Sequence, residues 1–187
     1  MQEEESNDLW RRFISGETAA YSRLYNEFVQ ILFRYGSRFT SDGELVKDCI
    51  QELFTTLYKN RKRLVPPPSN VKVYLFVSLK NNIKRAMERQ SRFENMDKEM
   101  DTFLLEPTVE EQYIDDESHR NRRNLVAKIL QILSPRQKEI IYYRYIRELG
   151  FNDICTLMQL NYQSAQNLLQ RAVKKIREHF RPENADR

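Results

Sequence analysis

Two runs of apolar residues at intervals of three and four, Leu9 to Arg92 and Leu125 to Phe180, commit this chain to helices. Between them the sequence turns acidic, with Asp97, Glu99, Asp101, Glu106, Glu110, Glu111, Asp115, Asp116 and Glu117. Only 4 glycines stand against 31 Lys+Arg and 27 Asp+Glu, so tight turns and strands are poorly supplied. The 187 residues suit one large domain or two small ones, and the acidic break favours two. The expectation is an all-α protein with small helical domains at 1–93 and 123–187, joined by an acidic linker at 94–122.

The formal net charge of +4 is modest, so the distribution of cations matters more than their sum. Met1 to Asp8 is acidic and polar, unlike a signal peptide, and no stretch approaches the roughly 18 apolar residues that span a bilayer. A soluble, cytoplasmic protein is expected. Cys49 and Cys155 lie in apolar helical patterns, without a CxxC pair or a nearby histidine, and both are read as core residues. His119 and His179 are the only histidines, and no Ser/His/Asp or Cys/His grouping is suggested. Asp97, Glu99 and Asp101 alternate as in a calcium loop but lack its glycine and final glutamate. No catalytic residue, metal, cofactor or small-molecule substrate is expected.

Ser134-Pro135-Arg136-Gln137 has the form of a capping box, opening a helix expected to run to Glu148 and stop at Gly150. Asn152 is read as the cap of a short helix whose Ile154, Leu157 and Met158 face inward. Gln159 to Asn161 then form a tight turn, and Ala165, Leu168, Leu169, Ala172, Val173 and Ile176 line one face of a final helix. Two helices across a three-residue turn make a helix-turn-helix. The other face of the last helix begins with Gln163, Ser164, Gln166, Asn167 and Gln170 and continues with Arg171, Lys174, Lys175 and Arg177. Amides near the N-terminus can bond base edges, and the cations behind them can hold phosphates, which is the polarity of a recognition helix.

In the first domain, Pro66-Pro67-Pro68 cannot continue a helix, so a loop must separate a helix ending near Arg63 from one starting at Ser69 or Asn70. The later helix, read to Gln90, is expected to bury Val73, Phe76, Val77, Ile83 and Met87 and to expose Lys80, Lys84 and Arg85. From Lys59 to Arg92 there are ten cations, Lys59, Arg61, Lys62, Arg63, Lys72, Lys80, Lys84, Arg85, Arg89 and Arg92, and a single carboxylate, Glu88. Such an imbalance attracts a nucleic-acid backbone in a salt-dependent way. The helix Glu44 to Tyr58 divides into an apolar face of Ile50, Leu53, Phe54 and Leu57 and a polar face of Asp48, Gln51, Glu52 and Thr55.

The word from Asp48 to Phe54, DCIQELF, resembles the D-x-x-Q-E-x-F signature of region 2.2 in extracytoplasmic-function (ECF) sigma factors of bacterial RNA polymerase. Leu24-Tyr25 and Phe28 resemble the family's L-Y-x-x-Y/F pattern, and Tyr74-Leu75 and Asn81 its W-L and R-N positions. Leu133-Ser134-Pro135-Arg136-Gln137 with Arg144-Tyr145 is similar to region 4, and Arg171-Ala172 matches two positions of H-R-A-R. The chain departs from the family with Gln163-Ser164-Ala165-Gln166 where G-T-V-K is frequent, so the upstream hexamer it reads cannot be inherited from better-known members.

The resemblance implies a promoter-recognition subunit rather than an enzyme. Asp48, Gln51, Glu52 and Thr55 would dock on the beta-prime clamp helices of core polymerase. Arg63, Asn70, Tyr74, Lys80, Asn81, Lys84 and Arg85 would hold the melted minus-10 element, with an extruded base in the loop from Val65 to Val71. Tyr74 is open to two readings, base stacking or core packing, and the prolines likewise to a pocket or a purely structural role. Gln163, Ser164, Gln166, Asn167, Gln170, Arg171 and Lys174 would read the minus-35 element. The acidic linker would imitate nascent RNA in the polymerase channel or act as a tether, with Phe103, Leu104 and Leu105 as a docking point. Implied partners are core polymerase, including its beta flap, promoter DNA, and an anti-sigma factor that is membrane-anchored by family habit. The alternative is a stand-alone helix-turn-helix regulator, which would not need Asp48, Gln51 and Glu52.

Overall fold

The computed structural model describes residues 3–64, 70–94, 103–104, 128–129 and 131–180. The triple proline, Ser69, Leu105, His119, Leu125 and the rest of the acidic stretch apart from Phe103 and Leu104 lie outside the described residues. The chain divides into two compact units, Met1–Thr102 and Phe103–Arg187. Both are helical, with no strand among the described residues.

Unit 1 holds α1 (Glu3–Ile14), α2 (Thr18–Gly36), α3 (Gly43–Asn60) with a 3-10 turn at Arg61–Arg63, and α4 (Val71–Glu94). The helices pack around Trp10, Phe13, Leu24, Phe28, Leu32, Tyr35, Val46, Ile50, Phe54, Phe76, Leu79 and Ile83, all buried. Burying each large side chain contributes about 1.5–3 kcal/mol, which is how four short amphipathic helices hold together. Tyr35 and Phe76 stack flat across α2 and α4, their centroids 4.1 Å apart. Beside them Gly36 lets the helices close in, since a Cβ there would meet Val46 Cγ1 at 2.6 Å and Ile83 Cδ1 at 3.1 Å.

Asn70 caps α4, its Oδ1 accepting from the backbone N–H of Lys72 at 2.9 Å and of Val73 at 3.4 Å. The apolar stripe of α4 differs from the sequence expectation: Val77 and Met87 are only half-buried, and Leu75 and Leu79 take core places. The reason is that α4 packs against α1, α2 and α3 together, so its buried surface is wider than one face.

Unit 2 contains α5 (Pro135–Ile141) with a π turn at Tyr142–Ile146, α6 (Phe151–Met158) and α7 (Tyr162–His179). The capping box is present, with Ser134 Oγ accepting from Gln137 N–H and the Gln137 side chain accepting from Ser134 N–H. Two expectations need correction. The helix does not continue to Glu148; it widens at Tyr142, where Arg147 N–H donates to the Tyr142 carbonyl, and Glu148 turns to φ 54°. Tyr142 and Tyr143, at the start of the wider turn, are both buried. Gly150, not Asn152, is the N-cap of α6, and Asn152 sits in its first turn.

Ile154, Leu157 and Met158 of α6 are buried. Gln159 takes the left-handed conformation at φ 53°, and Asn161 then caps α7, its Oδ1 accepting from Ser164 N–H at 2.7 Å. Of the apolar face of α7, Ala165 and Ala172 are buried and Leu168, Leu169, Val173 and Ile176 half-buried. Cys49 is buried, but Cys155 is only half-buried, because it flanks the inward face of the short α6 instead of occupying it. Phe103, acidic-stretch residue by sequence, is buried in unit 2 with its ring edge-on to Tyr142 at 5.4 Å.

Candidate partner and nucleic-acid faces

The first face is on α3. Asp42 caps the helix through its side chain to Leu45 N–H, and Leu45, Val46, Cys49, Ile50, Leu53, Phe54 and Leu57 fix its rotation by burial. Asp48, Gln51, Glu52 and Thr55 are then left together on the exposed side. Two carboxylates and an amide in this row suit a cationic, hydrogen-bonding protein surface. A shallow groove of about 350 Å³ between α3 and α4 runs beside Asp48 and Glu52, with Arg89 on its far wall. The Cys49 thiol beneath it is pushed up to about 11, first by burial and then by the neighbouring Glu52 and Asp48 charges.

The second face is on α4. Lys84 and Arg85 are exposed and Lys80 and Asn81 half-buried, within two turns of one another. Lys80 Nζ lies 5.6 Å from the Phe39 ring centre, and the Arg85 guanidinium donates to Asn82 Oδ1 at 2.7 Å and to the Asn81 carbonyl at 3.3 Å. Asn82 is buried and gave no signal in the sequence beyond its three-residue spacing from Arg85. It is the holder of that cation. Arg63 is exposed on the 3-10 turn. Asn70 is buried with its amide oxygen committed to the cap, and Tyr74 is half-buried, edge-on to Trp10 at 5.2 Å. These two therefore join the packing under the α4 N-terminus instead of the cationic row.

The third face is on α7. Gln163, Asn167, Gln170, Arg171 and Lys174 are exposed, and Ser164 and Gln166 half-buried. Gln163 and Asn167 pair through their amides at 3.0 Å, and Arg171 Nε donates to the Asn167 carbonyl at 3.3 Å. Arg136 of α5 reaches across to the Met158 carbonyl at 3.3 Å, tying the turn before α7 to the helix with the capping box. A short helix, a left-handed turn and a helix with amides first and cations after have the geometry of a major-groove reader. Among the described residues no three His, Cys, Asp or Glu side chains are grouped to hold a metal, and no helix is long and apolar enough to cross a membrane.

Two helical units, one with an exposed polar row on α3 and a cationic α4, the other with a helix-turn-helix, have the make-up of a two-domain nucleic-acid-binding protein. The family models for Sigma-70 region 2 and for Sigma-70, region 4 match residues 24–93 and 123–176. The chain belongs to the sigma-70 family and is an RNA polymerase sigma factor of the ECF class. The ECF RNA polymerase sigma factor SigL of Mycobacterium tuberculosis is 25% identical over 163 residues, covering 87% of this chain and 90% of SigL. CnrH, solved with the cytosolic domain of CnrY, has TM-score 0.59 at 16% identity, covering 93% of this chain and 96% of CnrH. RpoE from Bartonella quintana, solved with the anti-sigma factor NepR, has TM-score 0.58 at 18% identity, covering 89% and 98%. The two structures share the fold. A region 2 match removes the stand-alone regulator, which would have no use for that domain. Sigma factors are non-catalytic initiation factors that bind core polymerase and promoter DNA.

Proposed function

We propose a division of labour among the three faces. Asp48, Gln51, Glu52 and Thr55 dock α3 on the beta-prime clamp helices of core polymerase. Lys80, Asn81, Lys84 and Arg85 of α4, with Arg63, hold the melted minus-10 strand, Tyr74 and Asn70 supporting them from beneath. Gln163, Ser164, Gln166, Asn167, Gln170, Arg171 and Lys174 of α7 read the minus-35 element, and unit 2 also engages the beta flap. The protein acts as a promoter-recognition subunit rather than an enzyme in its own right and works in the cytoplasm. Residues 1–93 and 123–187 are the two working domains, and 94–122 the acidic connection between them. An anti-sigma factor restrains it; the complexes in which CnrH and RpoE were solved support that reading.

The observation that carries the assignment is the row of Asp48, Gln51, Glu52 and Thr55, all solvent-facing on a helix whose other side is core. A pull-down with purified core polymerase tests it. Wild type binds, and the Asp48→Ala/Gln51→Ala/Glu52→Ala variant, folded by circular dichroism, loses binding. Full binding by the triple variant would remove α3 from the interface.

A further inference from the structure

The first nine residues of α7, Tyr162 to Gln170, contain no charged side chain, so this half of the helix has no Arg or Lys with which to bond guanine. It offers amides instead, and two of them are joined. Gln163 Nε2 donates to Asn167 Oδ1 at 3.0 Å across one helical turn, and both side chains are exposed. Two amides bonded to each other act as one unit, because each limits the rotation of the other. The first cation stands a turn behind them, where Arg171 Nε donates to the Asn167 carbonyl at 3.3 Å.

The bond between the amides decides what the unit shows to a ligand. It uses one N–H of Gln163 and the oxygen of Asn167, which leaves Gln163 Oε1 as the free acceptor and Asn167 Nδ2 as the free donor beside it. Turning both amides over exchanges the two roles and leaves the same display. Among the bases, adenine has the matching major-groove edge, an N7 acceptor next to an N6 donor. Guanine presents two acceptors and would set its O6 against the amide oxygen. Thymine presents an acceptor and a methyl group, and cytosine a donor alone.

We propose that Gln163 and Asn167 together read one adenine of the minus-35 element, one amide accepting from N6 and the other donating to N7. The inference rests on the assignment of α7 as the minus-35 reader and adds the base that it selects.

The test uses holoenzyme reconstituted from core polymerase and the full chain, which selects binders from a pool of randomised duplex DNA. Sequencing is expected to show an adenine at one upstream position. The Gln163→Ala/Asn167→Ala variant, folded by circular dichroism, is expected to lose the preference at that position alone. Direct contact is then checked on the selected duplex. Replacing the adenine by 7-deazaadenine, which lacks N7, or by purine, which lacks the 6-amino group, weakens wild-type binding about tenfold, the scale of one bidentate base contact, and leaves the variant unchanged. An Arg171→Ala/Lys174→Ala variant serves as a separate arm for the reading of α7 and binds every selected duplex more weakly. If the amide variant selects the same adenine with wild-type affinity while the cation variant is impaired, the adenine assignment is overturned and the minus-35 reading stands. If neither variant is impaired, both are overturned. If wild type selects another base wherever the amide variant relaxes the preference, or if both analogues bind as adenine does, so that the preference comes from duplex shape, the assignment is again overturned.

Discussion

Cys49 shows how a single side chain takes its chemistry from its surroundings. Burial against α4 and the charges of Asp48 and Glu52 hold its thiol up at about 11, so at pH 8 it is almost wholly protonated and shielded. Because the folded value lies above the unfolded one, its contribution to stability is complete at neutral pH. It fades only as pH rises from about 9 toward 11. Ellman's reagent at pH 8 is expected to label Cys155 readily and Cys49 only with unfolding; rapid labelling of both would contradict the burial. The three exposed side chains around it behave differently. Asp48, Gln51 and Glu52 make few intramolecular contacts, so replacing each by alanine is expected to change stability by no more than about 0.5 kcal/mol, measured by urea denaturation. Their loss is to be felt in polymerase binding alone.

At the scale of elements, helix ends and crossings carry the energetics. Asn161 satisfies the first turn of α7 and sets the direction in which that helix leaves the turn. Asn161→Ala is expected to cost about 1 kcal/mol of unit 2 stability, with weaker binding to a minus-35 duplex than to wild type in fluorescence anisotropy. Asn161→Ser should retain most of both. Gly36 is the corresponding point in unit 1, where α2 lies against Val46 of α3 and Ile83 of α4. Gly36→Ala would drive a methyl into Val46 and Ile83 and is expected to destabilise unit 1 by about 1–3 kcal/mol. A thermal melt unchanged by the substitution would mean that the helices move apart at little cost. These ends were legible in part. The Ser134 box and the Asn161 cap rest on local hydrogen bonds between residues three apart, and local spacing is written in the sequence. The π turn at Tyr142–Ile146 was not, because its bond from Arg147 N–H to the Tyr142 carbonyl is backbone to backbone and has no side-chain signature.

For the whole molecule, charge and chain connection govern. Phe103 sits inside the acidic stretch by composition but is buried with Tyr142 in unit 2. Phe103→Ala is expected to destabilise that unit by about 3–5 kcal/mol and leave unit 1 unaffected, which hydrogen exchange resolved by peptide can separate. Promoter affinity of the holoenzyme is expected to fall steeply between 50 and 200 mM salt, as for proteins that neutralise several phosphates. A flat salt profile in filter binding would remove the cations of α4 and α7 from the interface. The sequence by itself determined that this chain is helical, that it has two parts with an acidic break, and that polar rows on α3 and α7 face outward. Those properties follow from periodicity, which depends only on the order of residues along a helix. Tertiary structure decided the rest: that Tyr74 packs edge-on to Trp10, that Asn82 is buried with its amide donating to the Cys49 carbonyl, and that Phe103 joins unit 2 against Tyr142. Each depends on which helix lies against which, and that is settled by packing between residues far apart in the chain.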